Sequence, residues 1–127
     1  MLWLNELAKR DILGKVFILV GITPIKTLKM AQYMDVEVPG VFVPKAILQR
    51  LEKAGDRAEE EGVQIALELI EAVKGKQGVN GIHLMAVGWE EIVPRIITEA
   101  GLLPKDFVPP PKPLEAEKKP KAAPAAT

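Results

Sequence analysis

Apolar residues recur along this chain in two alternating rhythms. Trp3, Leu4, Leu7 and Ala8 fall three and four apart, the spacing of one helical face, and the pattern stops near Asp11 and Gly14. Val16-Phe17-Ile18-Leu19-Val20 follows as five consecutive apolar residues rich in β-branched and aromatic types, closed by Gly21-Ile22-Thr23-Pro24. Such a run reads as a strand buried on both faces, the habit of parallel sheets. Residues 25–34 read as a helix, with Pro24 tolerated just before or at the first turn. Residues 36–43 alternate like a strand, but Pro39-Gly40 breaks the run and Pro44 follows at once, so an extended connector with apolar anchors is expected.

Pro44 suits the first position of a helix that runs through Ile47, Leu48 and Leu51 to Gly55. The clearest helical stripe comes next. Val63, Ala66, Leu67, Ile70 and Val73 share one face, Gly75 stands past the end, and Glu59, Glu60 and Glu61 complement the positive end of the helix dipole. Gly81-Ile82-His83-Leu84-Met85-Ala86-Val87 repeats the buried-strand pattern. A last helix over residues 89–100 turns Ile92, Val93, Ile96, Ile97 and Ala100 inward and stops at Gly101, with Pro94 in the first turns where its missing donor costs little.

The expected order is helix, strand, three helices, strand, helix. That order implies an α/β fold with parallel pairing. Two parallel strands leave both outer edges unpaired and an apolar face uncovered, so further strands must come from elsewhere.

Composition narrows the chemistry. Of the 11 prolines, 7 fall in residues 104–127, with lysine and alanine making up most of the rest, so that segment is expected to be a disordered Pro/Lys/Ala-rich tail behind a globular body of residues 1–103. Seventeen basic residues balance seventeen acidic ones, which argues against nucleic acid as a partner. No apolar run approaches the ~18 residues of a membrane span, and no signal-peptide core follows Met1, so a cytoplasmic location without membrane attachment is expected. With no cysteine and only His83 as an imidazole, thiolate sites, triads and common metal sites have no ligand set. Gly75-Lys76 lacks the earlier glycine of a phosphate-binding loop.

Three segments carry a family likeness. Gly21-Ile22-Thr23-Pro24-Ile25 after an apolar strand, Met30-Ala31-Gln32-Tyr33-Met34 with Val38-Pro39-Gly40-Val41 behind it, and Gly81-Ile82-His83-Leu84-Met85-Ala86 resemble, in order and spacing, the C-terminal part of methylenetetrahydrofolate reductases. The likeness covers about residues 1–103 and is strongest to the short bacterial form of one-carbon metabolism, where a segment like Trp89-Glu90-Glu91 follows the last strand. It implies a (β/α)8 TIM barrel carrying FAD at the C-terminal ends of its strands and reducing 5,10-methylenetetrahydrofolate to 5-methyltetrahydrofolate through flavin N5. Residues 16–20 would be strand 7 and residues 82–87 strand 8, with extra helices between them. A whole barrel needs about 250 residues, so a partial barrel is expected, inactive as an isolated chain. The family's general acid, its flavin-tuning aspartate and most FAD contacts would lie on the other strands.

The resemblance also places substrate contacts. A glutamine of the family aligns with Met30, an aromatic residue that packs on the folate ring system with Met34, and an arginine with Trp89. Barrel ligands sit at strand C-termini, which adds Gly21, Thr23, Met85 and Val87 to the folate-binding candidates. No catalytic or metal-binding residue is expected in this chain. Simpler roles stand beside these: Met30 and Met34, four apart, as helix core; Met85 as barrel filling; Trp89 as a lid on the barrel mouth; Gly21 to Pro24 as a tight strand exit; His83 as a hydrogen-bonded structural histidine.

Two classes of function remain. One is the strand 7 and 8 portion of a flavin-dependent oxidoreductase, whose partners are folate and the remaining barrel strands. The other is a non-catalytic interaction module that pairs with itself or another subunit through open strand edges. The short-form relatives associate with a subunit bearing an iron-sulfur cluster or zinc, to which this chain would supply no cysteine. Another flavin or pterin barrel with a similar last quarter is a weaker third reading.

Overall fold

A computed structural model describes residues 2–108. Its element order is the expected one: α1 (Leu2–Lys9), β1 (Leu19–Ile22), α2 (Leu28–Glu37), α3 (Lys45–Ala54), α4 (Ala58–Val73), β2 (Gly81–Leu84) and α5 (Val93–Glu99), with short 3-10 turns at Gly55–Arg57 and Glu90–Ile92. The strands pair in parallel, Leu19 against Gly81 through Ile22 against Leu84, as the alternation of strands and helices requires. The fold is thus mixed α/β around a two-stranded parallel sheet.

β1 begins three residues later than the apolar run. Ile18 is already engaged by Asn80, whose side-chain oxygen accepts from the Ile18 amide at 2.8 Å, while the Ile18 carbonyl accepts from the amides of Asn80 and Gly81. A ladder extends only as far as its partner, and Val16 and Phe17 have none; they stand exposed. β2 likewise ends at Leu84 rather than Val87, although the Met85 amide still donates to the Ile22 carbonyl at 2.8 Å.

α2 is displaced in the same direction, to residues 28–37, because Thr27 rather than Pro24 starts it. Thr27 is extended (φ −139°, ψ 156°) and its hydroxyl accepts from the Met30 amide at 3.1 Å, which is an N-cap. The helix ends at extended Val38, the conformation forced on a residue before proline. The connector behind it is held by Asp35, whose carboxylate accepts from the Val43 amide at 2.8 Å. Pro44 stands one position ahead of α3, and Gly55 ends that helix at φ +54°.

α4 divides the interior. Val63, Ala66 and Ile70 join Ile22, Trp89 and Ile96 in one cluster against the sheet and α5, while Ile65 joins Ala31, Val43 and Leu51 in a second against α2 and α3. Each Val, Leu or Ile among them stabilises the fold by about 1.5–3 kcal/mol when fully buried. At the far end the Lys74 ammonium donates to the Ala100 carbonyl at 2.9 Å, closing α4 onto the C-terminus of α5.

Among the described residues the sheet is covered on one face only, which corrects the expectation of strands buried on both. Val20 and Ile22 point into the core, whereas Leu19, Gly21 and His83 are exposed. His83 therefore lies on the bare face, and among the described residues its ring makes no hydrogen bond, contrary to the expected structural role. Of the tail, Phe107 and Val108 are exposed and residues 109–127 lie outside the described residues.

Candidate functional site at the strand ends

Parallel strands place both C-terminal ends on one side of the molecule. Three stretches converge there: residues 23–27 leaving β1, the N-terminal turns of α4, and residues 85–92 leaving β2. Gly21 and Met85 come together on the bare face, so close that a Cβ on Gly21 would stand 2.8 Å from the Met85 methyl. Leu19 covers Gly81 in the same way, again at 2.8 Å. Glycine on one strand thus receives a long side chain from the other, and the bare face is closely fitted although unroofed.

Thr23 is half-buried at the end of β1, and Val87 is 71% exposed beyond β2. Met30 is half-buried in the first turn of α2. Met34 packs against the second cluster and Trp89, 3% exposed, lies inside the first. Gly21, Thr23, Met85 and Val87 are therefore gathered at the strand ends with Trp89 buried behind them, while Met34 lies apart, in the cluster between α2, α3 and α4.

Two residues that the sequence reading passed over organise this end. Gly62, in the second turn of α4 just ahead of Val63, meets the Ile25 carbonyl so closely that a Cβ there would collide with it, and the Trp89 ring lies 3.8 Å from the same point. A glycine inside an otherwise good helical stripe is the available signal for such an approach. Lys26 is the other. Its ammonium lies 3.7 Å from both the Glu59 and Glu91 carboxylates and 5.8 Å from the centre of the Trp89 ring.

Elsewhere the charges pair with one another. Arg50 donates to Glu61 at 2.6 Å and to both oxygens of Glu68 at 2.6 and 2.9 Å; Arg95 donates to both oxygens of Glu60 at 2.6 and 2.8 Å and to Glu99 at 2.7 Å. The Arg50 hydrogen bonds hold the Glu68 carboxyl below its ordinary value, those from Arg95 do the same for Glu60, and both guanidinium groups are raised in turn. An open groove of about 600 Å³ between α3 and α4 is lined by Arg50, Lys53, Arg57, Glu60, Glu61 and Gln64. Arg50, Glu60 and Glu61 are already committed to these pairs, whereas Lys53 and Arg57 make no ion pair among the described residues. Among the described residues, no group of three or more His, Asp or Glu side chains is placed to hold a metal ion, and no helix is long and apolar enough to cross a membrane.

The family model for methylenetetrahydrofolate reductase matches residues 3–101, spanning both strands, α2 to α5, all but the first residue of α1, and all three resembling segments. The chain belongs to the methylenetetrahydrofolate reductase family. No curated protein and no solved structure matches it. Membership joins this α/β scaffold to a reductase family.

Proposed function

We propose that this chain forms the strand 7 and strand 8 portion of a (β/α)8 methylenetetrahydrofolate reductase and supplies the folate end of its pocket. One observation carries the reading: a parallel strand pair whose closely fitted face, apolar but for His83, is left bare and whose outer edges are unpaired among the described residues, inside a sequence that matches the family. In a closed barrel that face would look inward, and the remaining strands would pair with the two edges. β1 and β2 would be neighbours in such a barrel, consistent with their direct pairing.

Folate would meet Gly21, Thr23, Met30, Met85 and Val87, with Trp89 packed behind the strand ends and Met34 one turn beyond Met30 on α2. The surfaces are apolar or lack a side chain, Thr23 excepted, so the pterin would be held by packing more than by polar anchoring. No side chain among them is suited to proton transfer, and the chain by itself is proposed to be inactive.

The family is flavin-dependent, but the strand-end residues of this chain do not fit a whole flavin dinucleotide. A pyrophosphate needs free cations or unpaired amides, and Lys26 is already held by two carboxylates. We therefore assign FAD chiefly to the other strands and derive no step through it here. Equilibrium titration of the full chain with FAD and with 5-formyltetrahydrofolate, a stable substrate analogue, tests the division. Weak folate binding without tight flavin binding is expected; tight, stoichiometric FAD binding would overturn it.

A non-catalytic module pairing through the same open edges is the second reading. The bare face and free edges favour it equally, and sedimentation separates the two: a well-folded dimer that melts cooperatively supports the module.

A further inference from the structure

We infer that Lys26 is a positioning residue, which fixes Trp89 and through it the shape of the strand-end pocket without itself meeting the ligand. This rests on the proposed folate end of the site, and goes beyond it by naming the group that sets its geometry.

Three separate segments meet at the Lys26 ammonium. Lys26 leaves β1 just behind Pro24, which is fully buried. Glu59 belongs to the first turn of α4, and Glu91 to the 3-10 turn that follows β2. Each carboxylate stands 3.7 Å away on its own element, and the third neighbour is the indole face of Trp89 at 5.8 Å. That distance lies within the range where a cation is attracted to an aromatic face. The lysine side chain is 35% exposed while both acids are more open, so the ammonium is the inner member of the group.

The consequence follows from what Trp89 touches. Its ring fills the cluster of Ile22, Val63 and Ile96 and lies against the Gly62 approach, so any rotation would displace residues at both strand exits. Shape alone leaves one side of the ring facing the Lys26 cation. Charge on that side, balanced by Glu59 and Glu91, holds the ring in place and joins the two exits.

A role in charge is separable from a role in volume. Lys26→Met keeps the length and apolar stem but removes the cation, and Lys26→Arg keeps the cation. With Trp3→Phe as background, the full chain reports Trp89 alone, because those are its two tryptophans. Acrylamide quenching of Trp89 is expected to rise about twofold in Lys26→Met with unchanged far-ultraviolet circular dichroism, and to return to the parent value in Lys26→Arg. Glu59→Gln combined with Glu91→Gln, which alters exposed groups only, should give an intermediate rise. Affinity for 5-formyltetrahydrofolate is expected to fall about three- to fivefold in Lys26→Met and to recover in Lys26→Arg, the scale of losing one such cation–aromatic contact. Equal quenching in Lys26→Met and the parent would overturn the inference, as would Lys26→Arg behaving like Lys26→Met. If the parent binds no folate, the proposed ligand fails while the quenching comparison still decides the role of Lys26.

Discussion

Gly62 and Ile25 touch backbone to backbone: α4 passes so near the segment leaving β1 that the Ile25 carbonyl occupies the place a side chain on Gly62 would take. Neither partner can yield cheaply. The carbonyl belongs to the chain between buried Pro24 and the N-cap Thr27, and the helix is pinned by Val63 and Ala66, both buried in the core cluster. Gly62→Ala should therefore destabilise the protein by about 2 kcal/mol, as overpacking does, despite the ~1 kcal/mol that alanine gains in a helix interior. Urea denaturation followed by circular dichroism measures the difference. A more stable variant would mean that the approach is looser than described.

Gly21 presents the opposite case. Its neighbour at 2.8 Å is the methyl end of Met85, on the bare face with open space beside it. Gly21→Ala should change stability by less than about 1 kcal/mol, because a methionine has three bonds about which to swing aside. Binding of 5-formyltetrahydrofolate should suffer more than folding, since Met85 moves into the proposed site. Paired titration and denaturation curves on the one variant check both halves.

Thr27 sets where α2 begins, and its hydroxyl is the only cap drawn from a side chain among the helix starts described. Thr27→Ala should cost about 1 kcal/mol, and Thr27→Ser should recover most of it. Because α2 carries Met30 and Met34, amide hydrogen exchange should quicken first in residues 28–31, which a peptide-resolved exchange experiment would show.

Much of this arrangement was legible in the sequence. The alternation of apolar runs with helical stripes gave the element order and the parallel pairing, since both depend on local periodicity. Strand limits were not legible, because Val16 and Phe17 are as apolar as Leu19 and Val20; only the position of Asn80, 62 residues away, decides where the ladder starts. The start of α2 was hidden by Pro24, a permitted first-turn residue that turned out to be buried packing. The strand-exit candidates came from the family likeness. Trp89 read as a ligand contact or a lid on the barrel mouth and Met34 as helix core or a folate contact, and their burial is set by the long-range clusters they join. Lys26 has no sequence signal at all, since its role arises from three segments that meet only after folding.

Acid should weaken the α3–α4 and α4–α5 contacts. The Glu68 and Glu60 carboxyls are held below their ordinary value by hydrogen bonds from Arg50 and Arg95. A depressed carboxyl contributes stability that is present above the unfolded glutamate value of about 4.3 and is lost as pH falls through the lower, folded value. Arg50 and Arg95 are raised, so their share is present below the ordinary arginine value and would be lost only at pH far above the working range. The expected loss thus lies below about pH 4.3. Glu68 is 49% exposed, so screening keeps its pair to about 0.5 kcal/mol. Glu68→Gln should flatten the acid limb of the melting temperature against pH and reduce its dependence on salt, with the neutral-pH value only slightly lowered.

The bare face offers the most direct test of the partial-barrel reading. Phe17, Leu19 and Val87 are 87%, 61% and 71% exposed, and they flank the fitted pairs Gly21 with Met85 and Gly81 with Leu19. A solvated surface of this kind contributes nothing to the fold when uncovered, so replacing its outermost members leaves stability within about 0.5 kcal/mol. It does, however, provide a hydrophobic surface on which chains associate, bounded by two strand edges able to pair with others. Phe17→Ser with Val87→Thr, which spares the two glycine contacts, should keep the circular dichroism spectrum and denaturation midpoint of the parent while lowering both its binding of a hydrophobic dye and its self-association in sedimentation velocity. If the face instead folds back on its own chain in solution, the double variant will lose stability and dye binding will rise. A parent chain that is monomeric and binds no dye would remove the physical ground for the missing strands.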